Sequence, residues 1–387
     1  MIQRSFLHLL LVGVLVAAFA APALGQATPP FDRTIIVGGS GTNAANGTAL
    51  ITAVFAAAAA VPPPSAGNPW LVKVEPGVFD LSGFTLPMIN FVDIEGSGRN
   101  ATFIRSSPGG FGLAATIDVP AGTDVELRNL TVQNFASGQG AGITNSSTDF
   151  KLTQVNIEVE SEGSSFGFVS FAGNPRVQTV FVRAAAKNND ATGFFLDAGA
   201  PVIIESFVFI NNATPGDNRG FRIESGANPS IDKTSGVVFG GNRNTGVQVQ
   251  GASATLTNNR WTVTGGSLAR GLYATDDVFV EVQESTFQAT GATTNVGIQN
   301  DTGFLTVQTS RVIAGAGASS IAVENVFSGQ TDIDQSVLQG GLSFRNTFGG
   351  AFRIGSTQLS GPRAIGGGSA ICAASYDGNY VAIGPGC

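Results

Sequence analysis

From Thr116 onward, apolar residues fall in short runs that alternate with polar ones, a period of two that predicts strands. One unit keeps returning: a small residue, then apolar, any, apolar. It reads TIDV at Thr116, GITN at Gly142, GFVS at Gly167, GFFL at Gly193, GFRI at Gly220, GVQV at Gly246, GLYA at Gly271, GIQN at Gly297, SIAV at Ser320 and GLSF at Gly341. The copies start 21 to 27 residues apart. Each carries two further short strands, such as VEL at Val125, FKL at Phe150, VEV at Val280 and FRI at Phe352, then LTV at Leu130, FVF at Phe207, WTV at Trp261 and VLQ at Val337. Small polar residues mark the corner between them, at Asn129, Ser285, Ser310, Ser336 and Ser356.

Three short strands per turn of about 25 residues predict an all-β fold, a parallel solenoid of about ten to twelve coils. No coil buries its apolar face alone, so each strand pairs with its copy one coil later, at about 4.8 Å. Like residues then stack inside. The 28 phenylalanines against three tyrosines fit such a core, because Phe buries area without a polar group to satisfy. Trp70 and Trp261 are expected in the core as well.

The ends differ from the middle. NGTALITAVFAAAAAV, Asn46 to Val61, is Ala-rich and stops at Pro62 to Pro64. It predicts a capping helix over about 47–61, with Asn46 or Thr48 as the N-cap. The domain reading is a signal peptide (1–25), an N-terminal segment with the helix (26–66), the solenoid (67–361) and a C-terminal cap (362–387).

The signal peptide rests on Arg4, the apolar run Phe6 to Ala20, and small residues Ala21, Ala23 and Gly25 before Gln26. No later segment is apolar enough to span a bilayer. The expected location is therefore secreted, periplasmic or at the cell surface. The only two cysteines, Cys372 and Cys387, then read as one disulfide closing the tail.

Charge narrows the chemistry. The net charge is −7 with 12% charged residues, so the basic footprint of a nucleic-acid binder is missing. The single histidine is His8, inside the signal peptide. The mature chain thus has no Ser-His-Asp or Cys-His arrangement and no histidine metal ligand. Gly96, Gly98 and Ala101 match the G-x-G-x-x-A spacing of a dinucleotide loop, but ATFIR follows where a helix should open, which argues against a nucleotide.

LVKVEPGVFDL followed by IEGSGRNATFIR, together with the Gly-opened repeats, resembles the pectin lyase-like superfamily over about Thr34 to Gly361. The resemblance implies a single-stranded, right-handed parallel β-helix. The family's catalytic signatures are largely missing. Polygalacturonase-like enzymes carry N-T-D, D-D and a histidine; here Asp276-Asp277 is the only D-D pair and no N-T-D exists. The Asp, Gln and Arg motifs of pectinesterases are absent too. Pectate lyases, with calcium-holding carboxylates and an arginine, are the class least excluded.

Repeat alignment places outward side chains. Second positions after the small residue give Arg222, Gln248, Tyr273 and Gln299. Fourth positions give Asp197, Glu224, Gln250, Thr275, Asp301, Glu324 and Arg345. Asp197, Glu224, Asp301 and Glu324 are the catalytic candidates, with Asp197–Glu224 and Asp301–Glu324 as neighbouring pairs at about 5 Å, the spacing of a retaining glycosidase pair. Arg222, Gln248, Tyr273, Gln299 and Arg345 are the substrate-binding candidates. Asp276 and Asp277 are candidates for Ca²⁺, no other cofactor being called for, and a turn is the simpler reading of them. Polar side chains on a solvated strand face need no function. The leading expectation is a non-catalytic exported module at a surface or matrix, touching extracellular polysaccharide. The alternatives are a polysaccharide lyase or glycoside hydrolase, and a structural assembly protein.

Overall fold

A computed structural model describes residues 33–108, 112–212, 215–385 and 387. The signal-peptide reading and His8 lie outside these residues. The compact body runs from Ile35 to Cys387.

Its strands wind through about 11 turns of a parallel β-helix. Strands from successive coils pair in parallel throughout both sheets. One sheet has twelve strands, in coil order from Leu86–Pro87 through Asp217–Ile223, Arg243–Gln250, Leu268–Thr275, Thr294–Asn300, Ser319–Asn325 and Leu342–Asn346 to Arg363–Ile365. This is the sheet that opens with the small residue of each repeat. The other sheet has 25 strands and folds around a corner into two faces. In two coils the strand runs straight through that corner, at Asp124–Asn134 and Asp149–Ser161.

The corner is built by one residue per coil in the left-handed region, from Asn129 through Gln154, Thr179, Glu205, Lys233, Asn258, Glu284, Thr309, Gln335 and Ser356 to Ala374, with φ between 47° and 57°. Most of these types do not favour that region. The next residue supplies the compensation. In several coils it is a buried hydroxyl that donates back across the corner, as Ser285 to the Gln283 carbonyl at 2.7 Å and Ser336 to Asp334 at 2.7 Å. It also accepts the N–H of its copy one coil earlier: Ser285 from Asn259 at 2.9 Å, Ser310 from Ser285 at 3.1 Å and Ser336 from Ser310 at 3.1 Å. Ser285, Ser310 and Ser336 therefore stand one residue past the corner, whereas Asn129 and Ser356 form it.

The core is a column of rings. Phe150, Phe168, Phe194 and Phe221 follow one another at 6.3, 5.9 and 4.6 Å between centroids, and Phe221 meets Trp261 edge-on at 5.6 Å. Trp261 is fully buried, as expected; Trp70 is only partly buried, against the core. The expectation that phenylalanine belongs to the core fails for Phe84, Phe135, Phe171, Phe279, Phe304, Phe327 and Phe348, which are exposed.

The helix, α1, spans Asn43–Ala58 with Thr42 as its N-cap, the Thr42 hydroxyl accepting from Ala45 at 3.3 Å. It starts four residues earlier than the sequence suggested. Gly47 reads as a poor helix interior, yet here it is required: a Cβ there would lie 1.9 Å from the Asp80 carbonyl oxygen. Asn46, offered as a cap, is instead buried and donates to the Gly39 and Val78 carbonyls. Gly96 ends the strand Val92–Gly96 and Thr102–Ser106 is the next strand, so no helix follows that glycine pair. At the other end the ladders continue past Gly361, through Ser369–Ala373 to Tyr376–Asp377. Cys372 and Cys387 are disulfide-bonded.

Candidate functional site

The outer face of the twelve-stranded sheet is shaped by a kink at the small residue. In the coil of Gly220, both Gly220 and Phe221 point into the core, since a Cβ on Gly220 would meet the Trp261 ring and Phe221 is fully buried. Strict alternation is lost there, and both the residue before the glycine and the second one after it face outward. Two neighbouring outer columns result. One runs Thr192, Arg219, Thr245, Arg270, Val296, Ile321. The other runs Phe195, Arg222, Gln248, Tyr273, Gln299, Glu324, Arg345. Together they form a band along the helix axis, termed the channel, in which Thr192, Thr245, Val296 and Ile321 are buried and Arg219, Arg222, Arg270 and Tyr273 are partly exposed. Its N-terminal stretch is apolar, with Ala115, Ala141 and Val169 covered by Leu113, Phe166 and Phe195. Its middle is polar.

The register corrects two placements. Val296 pairs with Ile321, and Ile298 with Val323, so the residue level with Gly297 is Ala322 rather than Ser320. In the next coil it is Ser343 rather than Gly341. Glu324 and Arg345 belong to the second-position column, stacked on Gln299, not to the fourth. Asp301 and Glu324 are therefore not neighbours on one column, and that carboxylate pair is withdrawn. The slip came from reading Ser320, two residues before Ala322, as the small residue; the step from Gly297 to Ala322 has the ordinary coil length, and only the next, to Ser343, is shorter.

Most of the carboxylates here are taken up by local partners. Glu224 accepts two bonds from Arg222, at 2.7 and 3.1 Å. The buried Glu324 accepts from Arg345 Nε at 2.7 Å and from the Thr347 hydroxyl at 3.3 Å. Asp301, also buried, accepts from the Tyr273 hydroxyl and from Gln299 Nε2, each at 2.9 Å. Asp197 sits one coil before Glu224 in the fourth column. Arg222–Glu224 and Tyr273–Asp301 are thus two separate pairs, about 10 Å apart by strand spacing, and do not converge on one point. Asp276 and Asp277 both adopt left-handed φ, 65° and 56°, and form the turn after Thr275. Among the described residues, no group of three or more His, Cys, Asp or Glu side chains is gathered to hold a metal.

The centre of the channel is Arg270, which the sequence reading did not single out. Its guanidinium carbon lies 3.8 Å from the Tyr273 ring centroid, a cation–π contact. Nη1 reaches Gln299 Oε1 at 3.5 Å, and the buried Nε has no hydrogen-bond partner. The neighbouring arginines are paired: Arg219 with Asp190 and Asp217 at 3.0 and 2.8 Å, Arg222 with Glu224 at 2.7 Å, Arg243 with Asp217 at 2.6 Å, and Arg345 with Glu324. Among the described residues, no carboxylate stands within ion-pair range of Arg270. Burial pushes its pKa down, and burial pushes the Tyr273 phenol up. Arg219 belongs to the same column and donates to Gln248 Oε1 at 2.7 Å. The signal available was an arginine directly before the repeat glycine, in RGFRIE at Arg219 and RGLYAT at Arg270.

Two depressions lie elsewhere. One of about 400 Å³ is in the tail beside Arg363, Asp377 and Ile383. One of about 450 Å³ is on the other sheet beside Gln308, Asp332, Arg353 and Ile371. No helix among the described residues is long and apolar enough to cross a membrane.

No family model matches the chain, and no curated protein matches it in sequence. Solved structures do match. The A-module of the mannuronan C-5 epimerase AlgE4 from Azotobacter vinelandii is similar over 88% of this chain and 94% of its own, at 15% identity and TM-score 0.51. Tailspike protein 3 of bacteriophage CBA120 is similar over 97% and 69%, at 9% identity and TM-score 0.46. The catalytic unit of the GH87 alpha-1,3-glucanase from Streptomyces thermodiastaticus is similar over 95% and 73%, at 13% identity and TM-score 0.39. The likeness is one of fold: the chain is a parallel β-helix, and the AlgE4 A-module is similar to it over most of both chains.

Proposed function

We propose that the channel binds an acidic extracellular polysaccharide, and that the protein is an exported β-helix module that grips the polymer without cutting it. The observation that carries this is Arg270. A largely buried cation with no carboxylate in ion-pair contact is costly; Asp301 acts on it only from beyond that range, and Tyr273 and Gln299 hold it in place. A carboxylate or sulfate on a sugar would supply the direct ion-pair partner, and a bidentate contact would fix its orientation. The AlgE4 module, named for acting on mannuronan, shares the fold. The disulfide suits an oxidising compartment, as does the signal-peptide reading.

Non-catalytic binding is preferred because Glu224, Asp301 and Glu324 are each committed to a local partner, and no adjacent carboxylate pair remains in the Arg270 cluster. One observation favours a second reading, a lyase or hydrolase. The Tyr273 hydroxyl, which carries a proton it donates to Asp301, stands beside a cation and could act as a general acid.

The test is calorimetric titration with acidic oligosaccharides (oligomannuronate and oligogalacturonate) and a neutral glucan oligomer, with and without Ca²⁺. We expect the acidic ligands alone to bind, and Arg270→Met to weaken them by roughly tenfold or more, as loss of a buried charge contact does. Equal binding of the neutral ligand, or no effect of Arg270→Met, would remove the proposal. Release of new chain ends that Tyr273→Phe abolishes would establish the second reading instead.

A further inference from the structure

Phe327 and Phe348 stand where no core needs them. They occupy the turns after the strands Ser319–Asn325 and Leu342–Asn346, and they are 52% and 57% exposed. Their rings stack at 5.7 Å with planes 8° apart, presenting one continuous apolar step to solvent. Isolated exposed apolar residues are ordinary. A stacked pair fixed in register is not an isolated residue.

The pair adjoins the polar column of the channel. Phe348 follows Thr347, whose hydroxyl bonds Glu324. The Phe327 N–H donates to the Asp301 carbonyl at 3.2 Å, so its backbone lies over the residue that holds Tyr273. Glycines flank the rings, and Gly349 has open space around it, so neighbouring side chains do not cover them. The strands of Tyr273, Gln299, Glu324 and Arg345 are successive neighbours. The ring step is therefore about 10–14 Å farther along the axis than Tyr273, at the strand spacing.

We infer that Phe327 and Phe348 form a second subsite for the same polymer, taking the C–H face of a sugar ring several units away from the one at Arg270. The inference rests on the polysaccharide reading of the channel. A sugar ring presents an apolar face and a hydroxyl rim, and this place offers both complements: flat aromatic surface, with Arg345, Thr347 and Glu324 at its side. Because the rings lie two and three coils from Tyr273, a chain long enough to reach both subsites gains the second contact at high effective concentration. Affinity must then rise with ligand length until both are filled.

The experiment is titration with acidic oligosaccharides of graded length against wild type, Phe327→Ala/Phe348→Ala, and Phe348→Trp. For wild type, affinity rises with length and then levels off. The double alanine leaves the shortest ligands unchanged and weakens the longest by roughly fivefold or more, the scale seen when a contacting aromatic is truncated. Phe348→Trp keeps the length dependence. Both rings are exposed, so unchanged melting temperatures are expected and would show that the variants fold. If Arg270→Met weakens binding at every length while the double alanine changes nothing, this subsite is overturned and the channel reading stands. If no acidic oligosaccharide binds wild type, the channel reading falls and takes this inference with it. Self-association of wild type that the double alanine abolishes would assign the rings to a second copy of the chain, and would also overturn it.

Discussion

Trp261 shows how a single residue shapes its surroundings. Its ring fills the core where Gly220 and Gly236 have no side chain; a Cβ on either would come within 2.2 Å of it. The ring is fully buried and cannot swing away into solvent. Gly236→Ala should therefore destabilise the protein by about 1–3 kcal/mol, the usual cost of overpacking, measured by denaturant unfolding. Adding Trp261→Phe should recover part of that loss, since the two sites share one space. A Gly236→Ala protein as stable as wild type would mean that the core is looser than described. At this scale the sequence was legible where side chains stack in register. Trp261 aligns with Phe287, and both are core. It was not legible for Arg219 and Arg270. Strict alternation assigned their column to the inside, because two consecutive inward residues at the glycine cannot be read from a period of two. Nor was it legible for Phe327 and Phe348, where residue type suggested burial and the turn decided otherwise.

At the scale of elements, the corner carries the repeat. In the coils of Ser285, Ser310 and Ser336 the left-handed residue is tolerated because the hydroxyl after it ties the corner and then bonds the coil before. Ser285→Ala removes the acceptor of the Asn259 N–H and leaves a buried donor unsatisfied. The expected cost is about 1–3 kcal/mol, read as a lower denaturation midpoint with an unchanged slope. An exposed serine in the same repeat, such as Ser267, should tolerate alanine within about 0.5 kcal/mol. Equal effects at the two positions would contradict the ladder. The strands themselves were evident from their alternation. The element boundaries were less so, for physical reasons. The helix starts ahead of Gly47 because packing on Asp80 overrides a poor helix residue. The start of the coil carrying Glu324 slipped by two because Ala322, not Ser320, occupies the crowded inner position. That slip had placed Glu324 beside Asp301 and suggested a catalytic pair.

At the scale of the whole molecule, stacking of coils makes a rigid ruler, with like positions repeated about every 4.8 Å. The repeat made the solenoid legible without any catalytic motif. What the repeat alone could not show is that one face carries a band that is apolar at one end, polar in the middle and flanked by aromatic rings farther on. These properties depend on the kink at each glycine and on the turns between faces. The central claim is that Arg270 receives an acidic group of a bound polymer. A crystal structure with a bound acidic oligosaccharide tests it most directly. The account predicts the sugar lying along the twelve-stranded sheet, with a carboxylate or sulfate oxygen about 2.7–3.2 Å from the Arg270 guanidinium. A ligand seated instead in the depression beside Asp332 and Arg353, with the Arg270 channel empty, would contradict it.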